Sequence, residues 1–233
     1  LAPSVSPVRE TVRIVNIRAL APIALTIPAL MIAVFAWGMG LIADKVGRKR
    51  LLMIAMVAYA VFGMAPLYLD SLAQIIVSRA LTGITEAAII TVCTVLIGDY
   101  YSDAQRPRYL ALQIVFSGIA AIVFLGVGGA LGEHGWRTRF WMYLLGIVIV
   151  VPLGFILFEP TPSDRPPPVT VIGTKFPLAA ILGICAVTLF AAICFYIPIV
   201  QNGFLLNAIG IRSPQIIGLA GAAGAIANLL GSA

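Results

Sequence analysis

The stretch Gly40–Arg50, with the sequence GLIADKVGRKR, is the densest group of charges in a very apolar chain. A charge-free run of twenty-five residues, 19–43, ends just before Asp44. A second charge-free run, 51–69, begins just after Arg50. A helix needs about 20 apolar residues to cross the hydrocarbon core of a bilayer, and each run approaches or exceeds that length. The stretch therefore predicts a short polar connection, here called the joint, between two membrane helices.

The composition of the whole chain is typical of a membrane protein rather than a soluble one. Of its 233 residues, 61% are hydrophobic and 10% are charged, whereas soluble domains carry about 25% charged residues. The net charge of +6 comes from basic residues at the ends of apolar runs, so it indicates orientation in a membrane and not nucleic-acid binding. Cys93, Cys185 and Cys194 lie in apolar runs, where they predict neither a metal site nor a disulfide framework.

The fold is predicted to be an all-α, polytopic membrane protein. Backbone groups that face lipid must be satisfied within their own segment, and the alternating pattern of barrel strands is missing from the sequence. Seven membrane helices are expected, at residues 22–43, 51–69, 73–98, 109–132, 140–158, 177–199 and 214–233. Residues 6–18 are predicted to be a loop or a short interfacial helix, and a helix break is expected after Pro198.

A proline-rich segment divides the predicted helices into two blocks. Residues 159–175 contain five prolines, which favour an extended, non-helical linker. The predicted domains are an N-terminal bundle at 1–158, the linker at 159–175 and the start of a second bundle at 176–233. The crowded basic residues of the joint place it, and with it the linker, in the cytoplasm. Because the chain lacks an initial Met and ends inside an apolar run, we expect a fragment cut at both ends.

The basic residues of the joint follow the positive-inside rule, but that rule does not explain Gly40, Asp44 or Gly47. Gly40 and Asp44 are four residues apart on one helix face, where a glycine permits another helix to approach. The Asp44 carboxylate would oppose the partial negative charge at the end of its own helix, so it needs an arginine or another helix N-terminus as partner. Gly47 allows a sharp turn into the next helix. The alternative is a plain stop signal with a positive cluster.

With this spacing the joint resembles the signature that the major facilitator superfamily carries between its second and third helices. The matching positions are Gly40, Asp44, Lys45, Gly47, Arg48 and Lys49. The resemblance implies two six-helix halves, with this chain running from the end of helix 1 to helix 8. It also implies that these residues gate the conformational change, that Arg48 pairs with Asp99, and that Asp44 faces a helix N-terminus in the second half. Such a latch would stabilise the outward-facing state; the alternative for Asp99 is a solvated helix end.

Two ionisable side chains interrupt the helix predicted at 73–98. Ionisable residues inside membrane helices are rare and indicate a functional site by default. Arg79, Gly83 and Glu86 are spaced i, i+4 and i+7, which places them on one face, expected to line a central cavity. Arg79 and Gly83 match the superfamily's fourth helix, and the resemblance implies substrate binding or proton coupling. Glu86 could bind and release a proton. The alternative is a structural ion pair or an interhelical hydrogen bond.

The helix predicted at 109–132 contains four candidate packing glycines, Gly118, Gly126, Gly128 and Gly129. Small residues let membrane helices pack backbone to backbone. The pair Gly128 and Gly129 also resembles the end of a signature found in the fifth helix of the superfamily's antiporters, although Phe124 and Leu125 depart from it. The alternative to antiport is tight packing alone.

These features predict a secondary transporter that moves a small organic solute by alternating access, in the direction of efflux and as a proton antiporter. The sequence has no phosphate-binding loop for nucleotide hydrolysis, which favours an ion gradient as the energy source. One histidine and no catalytic motif argue against an enzyme. The alternatives are an importer or a uniporter of the same fold, or a non-transporting membrane receptor.

The expected partners are a small-molecule substrate, protons and the lipid bilayer, and no nucleic acid. No cofactor or metal ion is expected. The charge-free runs predict several membrane crossings. We also expect a monomer located in a bacterial inner membrane.

Overall fold

The part of the chain that the structure describes is almost entirely α-helical. This computed structural model describes residues 7–101, 104–160, 178–211 and 213–231. Its helices are α1 (Pro7–Val46), α2 (Arg48–Met64), α3 (Leu72–Tyr100), α4 (Arg106–Gly132), α5 (Leu144–Ile156), α6 (Leu178–Ala208) and α7 (Pro214–Gly231). Short 3-10 helices lie at Ala65–Leu67 and Thr138–Tyr143, and the described residues contain no strand. The predicted all-α fold class is confirmed.

Five described segments are long and apolar enough to cross a membrane. They are Ala24–Val46, Arg48–Leu67, Leu72–Tyr100, Arg106–Gly132 and Thr138–Ile156. Large apolar side chains such as Trp37, Phe116 and Phe155 lie on their outer surfaces. A helix satisfies its backbone hydrogen bonds internally, so such surfaces can face hydrocarbon without cost to the backbone. Both observations fit a protein that crosses the bilayer several times.

The first helix is longer than predicted. Residues 7–18 do not form a loop or a separate interfacial helix but the first part of α1, which continues without interruption to Val46. Pro7 occupies the first helical position, where a missing N–H removes no intrahelical hydrogen bond. The helix also contains Pro22 and Pro28, and membrane helices tolerate internal proline where neighbouring groups satisfy the freed carbonyl.

Two other boundaries differ from the prediction. The expected break after Pro198 is wrong, because α6 is one helix from Leu178 to Ala208; a single proline removes one hydrogen bond, which a membrane helix can accommodate. Residues 140–143, predicted to begin an α-helix, belong to the 3-10 helix Thr138–Tyr143. In a 3-10 helix the side chains at i and i+3 eclipse one another. Phe140 and Tyr143 therefore stack, with ring centroids 6.4 Å apart.

Contacts divide the chain into two compact units. The first comprises Leu1–Leu110 and Phe140–Asp164, and in it α3 packs against both α1 and α2, while α2 also contacts α5. Its buried positions include small residues such as Ala43, Ala60 and Ala87. Small side chains let helix backbones approach closely, which is how helices associate in a membrane.

The second unit comprises Ala111–Arg139 and Arg165–Ala233, and within it α6 contacts α7. Of the predicted linker, only Glu159 and Pro160 belong to the described residues, so the extended conformation expected for the rest lies outside them. The domain boundaries expected at 158 and 175 stay predictions.

Candidate functional site

Within the joint, a single residue, Gly47, separates the end of α1 from the start of α2. Gly47 has φ 101° and ψ 138°, a backbone conformation that side chains disfavour and glycine adopts freely. Its N–H still donates to the Ala43 carbonyl at 3.0 Å, so α1 ends without a gap in its hydrogen bonds. The sharp turn expected at Gly47 is present.

The basic residues of the joint do not form the predicted loop. Arg48, Lys49 and Arg50 make up the first turn of α2. Positive charge at a helix N-terminus opposes the helix dipole, which favours anions there. This arrangement therefore needs acidic partners, and they are Asp44 in α1, Asp99 in α3 and Glu159, which follows α5.

Arg48 forms a buried ion-pair cluster with Asp99 at the end of α3. Its Nη1 contacts Asp99 Oδ2, and its Nη2 donates to Asp44 Oδ1 at 3.2 Å. The Asp99 side chain is 6% exposed, whereas the Asp44 side chain is 53% exposed. Asp99 is thus not a solvated helix end, and the expected pairing with Arg48 is present. The expected contact of Asp44 with a helix N-terminus in a second half stays a prediction.

Glu159 is part of this cluster and was missed by the sequence analysis, which assigned it to the linker. Its carboxylate accepts the backbone N–H of Arg48 at 2.5 Å and that of Lys49 at 3.0 Å. These are N–H groups that a helix leaves unsatisfied at its N-terminus, so Glu159 caps α2 and supplies the favourable negative charge. No spacing rule connects positions 111 residues apart, and the sequence alone held no signal for the contact.

Lys49 makes the converse contact at the end of α5. Its Nζ donates to the carbonyls of Gly154 at 2.8 Å and Leu157 at 2.6 Å. Carbonyls at a helix C-terminus lack intrahelical partners and favour a cation. The ends of α2 and α5 therefore cap one another: an acid after α5 caps α2, and a base in α2 caps α5. Tyr100 adds a hydrogen bond from its Oη to the Phe158 carbonyl at 2.6 Å.

Replacing Glu159 by alanine is expected to destabilise the protein by about 1 kcal/mol, the cost typical of losing a helix cap. Glu159→Gln keeps one acceptor oxygen but loses the charge, so it should destabilise the protein less than Glu159→Ala does. The apparent melting temperature of the purified full-length protein in detergent measures both changes. Equal melting of Glu159→Ala and wild type would show that the α2 N–H groups are satisfied without this carboxylate.

The remaining joint residues lie on the outside of the first unit. Lys45 is exposed, and a Cβ at Gly40 would meet no atom within 4 Å. The close helix approach predicted at Gly40 is therefore not found in the described part of the chain. The gating role of these residues stays a prediction.

Arg79 lies inside the membrane-spanning part of α3 and is 9% exposed. Its Nη1 donates to Tyr143 Oη at 2.8 Å, and its Nη2 donates to the Gly63 carbonyl at 3.1 Å. The guanidinium carbon is 5.1 Å from the ring centroids of both Phe140 and Tyr143. Aromatic faces attract a desolvated cation. We call Gly63, Phe140 and Tyr143 the arginine clamp; the sequence analysis identified none of its members.

Gly83 and Glu86 are not members of the arginine clamp. A Cβ at Gly83 would lie 2.5 Å from the Pro28 oxygen and 2.6 Å from its Cα, so Gly83 packs on the α1 backbone and not against an open cavity. Glu86 is half-buried and makes no ion pair with Arg79 within 4 Å among the described contacts, although Arg79 acts on it electrostatically. The expectation of one cavity-lining face is wrong for Gly83.

The glycines of α4 divide into two kinds. A Cβ at Gly129 would lie 2.8 Å from the Pro214 oxygen and 3.0 Å from the Gly218 Cα, so Gly129 packs tightly on α7 within the second unit. At Gly126 a Cβ would meet nothing within 4 Å, and the tight packing predicted there is not found in the described residues. The packing of Gly118 and Gly128 stays a prediction.

The described residues hold no group of three or more His, Cys, Asp or Glu side chains that could bind a metal ion. The described contacts of the charged residues are ion pairs, hydrogen bonds and contacts with aromatic rings. One charged cluster lies at the ends of α1, α2, α3 and α5, and Arg79 lies within the span Leu72–Tyr100.

Fold and site together define a helical, multi-pass integral membrane protein. The family model of the Major Facilitator Superfamily matches residues 16–233, and the chain belongs to this superfamily. Its members are transporters and not enzymes.

Three relatives illustrate the similarity. The chain is 32% identical over 142 residues to the multidrug efflux pump LfrA of Mycolicibacterium smegmatis, a match that covers 60% of the chain and 27% of LfrA. It is 32% identical over 112 residues to a gallate transporter of Pseudomonas putida, covering 46% and 24% of the two chains. It is 28% identical over 144 residues to the quinolone resistance protein NorB of Staphylococcus aureus, covering 61% and 30%. The chain thus spans less than a third of the length of these relatives.

Proposed function

We propose that the protein containing this chain is a secondary transporter that exports a small organic solute by alternating access, in exchange for protons. The observation that carries the proposal is Arg79, a charge inside a membrane span. Among the residues that the structure describes, it is held by hydrogen bonds and aromatic rings and not by a carboxylate. Intramembrane charges are costly, and they are retained mainly along substrate and proton pathways.

The joint is the proposed gate of the transport cycle. Its proposed members are Gly40, Asp44, Lys45, Gly47, Arg48 and Lys49, together with Asp99, and we add Glu159 to this set. The supporting observation is that four helix ends depend on a few charged contacts at one place. A ligand shifts the equilibrium between two conformations only through its different affinities for them. We propose that the gate sets the equilibrium between the inward-facing and outward-facing states, and that substrate and protons shift this equilibrium.

Arg79 and Glu86 are the proposed coupling residues. Arg79 supplies the positive charge of this pair. Glu86 is a carboxyl group on the same helix, seven residues after Arg79, and can change charge. We propose that Glu86 takes up and releases the coupling proton and that Arg79 responds to its charge. Gly83 serves the packing of α3 against α1, which holds both residues in place.

The direction and substrate are proposed from the relatives. LfrA is named for multidrug efflux and NorB for quinolone resistance, which favours export of organic compounds. The gallate transporter shows that the named relatives also include a carrier of a small aromatic acid. Import is therefore the second candidate. All of these relatives are bacterial, and we propose a monomer in a bacterial inner membrane.

The test is flux through the full-length protein in liposomes with an imposed proton gradient. A quinolone, an organic cation and gallate serve as substrates. We expect gradient-dependent flux in the wild type and at least a tenfold lower flux in Arg79→Ala. A tenfold decrease corresponds to a rise of about 1.4 kcal/mol in the activation free energy of transport. Arg108→Ala, which removes an exposed arginine at the start of α4, is the matched control and should keep wild-type flux.

Other outcomes of this experiment identify the alternatives. Flux that ignores both the gradient and Arg79→Ala would indicate a uniporter in which Arg79 is structural. Gradient-driven uptake in the same direction as protons would indicate an importer. A protein that binds a compound without moving it would be a receptor built on this fold.

A further inference from the structure

The arginine clamp is built around Tyr143. Its hydroxyl accepts a hydrogen bond from Arg79 Nη1, and its ring lies beside the same guanidinium. A side chain at Gly63 would overlap this ring, so the absence of one makes room for Tyr143. The Gly63 carbonyl accepts the second hydrogen bond. One tyrosine therefore holds Arg79 by two kinds of contact.

Glu86 lies two helical turns from Arg79 on α3, about 10 Å along the axis. The titratable side chain of α2 near Glu86 is Tyr59, whose ring centroid is 5.1 Å from that of Tyr143. From Ala24 to Ala43, α1 carries no titratable side chain, and the 3-10 helix before α5 contributes Tyr143. In the conformation described, the Arg79 guanidinium donates to two neutral groups, the Tyr143 hydroxyl and the Gly63 carbonyl.

We propose that Tyr143 is a positioning residue that keeps Arg79 away from Glu86. Arg79 and Glu86 would attract one another strongly in the low dielectric of a membrane protein, and a charge-assisted hydrogen bond is stronger than one to a neutral hydroxyl. The clamp offsets this attraction, so that Glu86 can hold a proton. Loss of the Tyr143 hydroxyl releases Arg79 toward Glu86 and favours its ionised form.

This inference rests on the proposed coupling role of Glu86, but its structural content can be tested without transport. Dicyclohexylcarbodiimide enters membranes and reacts with protonated carboxyl groups. Mass spectrometry of the full-length protein in liposomes, treated over a range of pH, gives the pH of half-maximal labelling at Glu86. Glu86→Gln must abolish the adduct on this peptide.

We expect Tyr143→Phe to lower the pH of half-maximal labelling by about one unit or more, because a nearby positive charge lowers the pKa of a carboxyl group by that amount. The phenylalanine ring still fills the space at Gly63, so the variant removes the hydroxyl alone. The matched control is Tyr68→Phe, at a residue 74% exposed and outside the clamp, which should label as the wild type does.

A double variant separates positioning from loosened packing. In an Arg79→Gln background, Tyr143→Phe should no longer lower the labelling pH, because the cation that moves is gone. An equal shift in both backgrounds, or no shift in Tyr143→Phe with an unchanged elution profile in size exclusion, would overturn the proposal. A shift that requires Arg79, in a protein whose flux ignores the proton gradient, would support the clamp and refute proton coupling.

Discussion

Replacing Asp99 by asparagine is expected to lower the apparent melting temperature of the full-length protein in detergent by about 10 °C. Asparagine has nearly the same size but no charge, so it leaves the Arg48 guanidinium buried with only Asp44, whose side chain is 53% exposed. Breaking one side of a buried ion pair costs about 3–5 kcal/mol, because the remaining charge is uncompensated. A melting curve read by fluorescence-detected size exclusion measures the change.

The double variant Arg48→Met/Asp99→Leu is the control for this prediction. Replacing both members of a buried pair by apolar residues of similar volume is often neutral, because the desolvation cost of the charges disappears as well. The loss of the Arg48–Asp44 contact should matter little, since exposed pairs contribute about 0–1 kcal/mol. We therefore expect the double variant to melt well above Asp99→Asn. Wild-type melting of Asp99→Asn would mean that the pair does not stabilise the folded protein.

Gly83→Val is expected to destabilise the first unit by about 3 kcal/mol or more, since overpacked cores pay such costs. The added Cβ would lie 2.5 Å from the Pro28 oxygen and 2.6 Å from the Pro28 Cα. These are backbone atoms, so the clash is relieved only if α1 moves away from α3, and that separates helices that associate through small residues. Yield of folded protein and melting temperature in detergent give the readout, and Gly83→Ala should show a smaller loss in the same direction.

Gly38→Ala is the matched control for the Gly83 series. Gly38 also lies inside a long membrane helix, but a Cβ there would meet no atom within 4 Å. Alanine is the better helix former by about 1 kcal/mol, so this change should be neutral or stabilising. Opposite effects of alanine at the two glycines would support close packing at Gly83. The same effect at both would point to helix propensity alone.

Secondary structure was the most predictable level. Apolar runs located all seven described helices, because every membrane-spanning segment must satisfy its own backbone hydrogen bonds. The errors occurred at Pro198, where proline did not end α6, and at 140–143, where the 3-10 helix replaced α-helix. The prediction for residues 7–18 was wrong because a charged stretch before an apolar one does not by itself interrupt a helix.

The candidate site was predictable only where its residues follow a local pattern. The turn at Gly47 and the pairing of Arg48 with Asp99 could be expected from the joint and the family it resembles. Gly83 was assigned to a cavity, although the surrounding helix pattern fits a packing face equally well. The side of a membrane helix that meets another helix is not marked by polarity, since lipid and protein neighbours are both apolar.

The sequence by itself determined that this chain is a helical, multi-pass membrane protein with a charged joint after its first long apolar run, because hydropathy and length decide what can cross a bilayer. Only the tertiary structure decided what the charges contact. Glu159 caps α2 and Tyr143 holds Arg79 across separations of 111 and 64 residues. Such partners are chosen by helix packing, which places distant side chains together through contacts that no local spacing encodes.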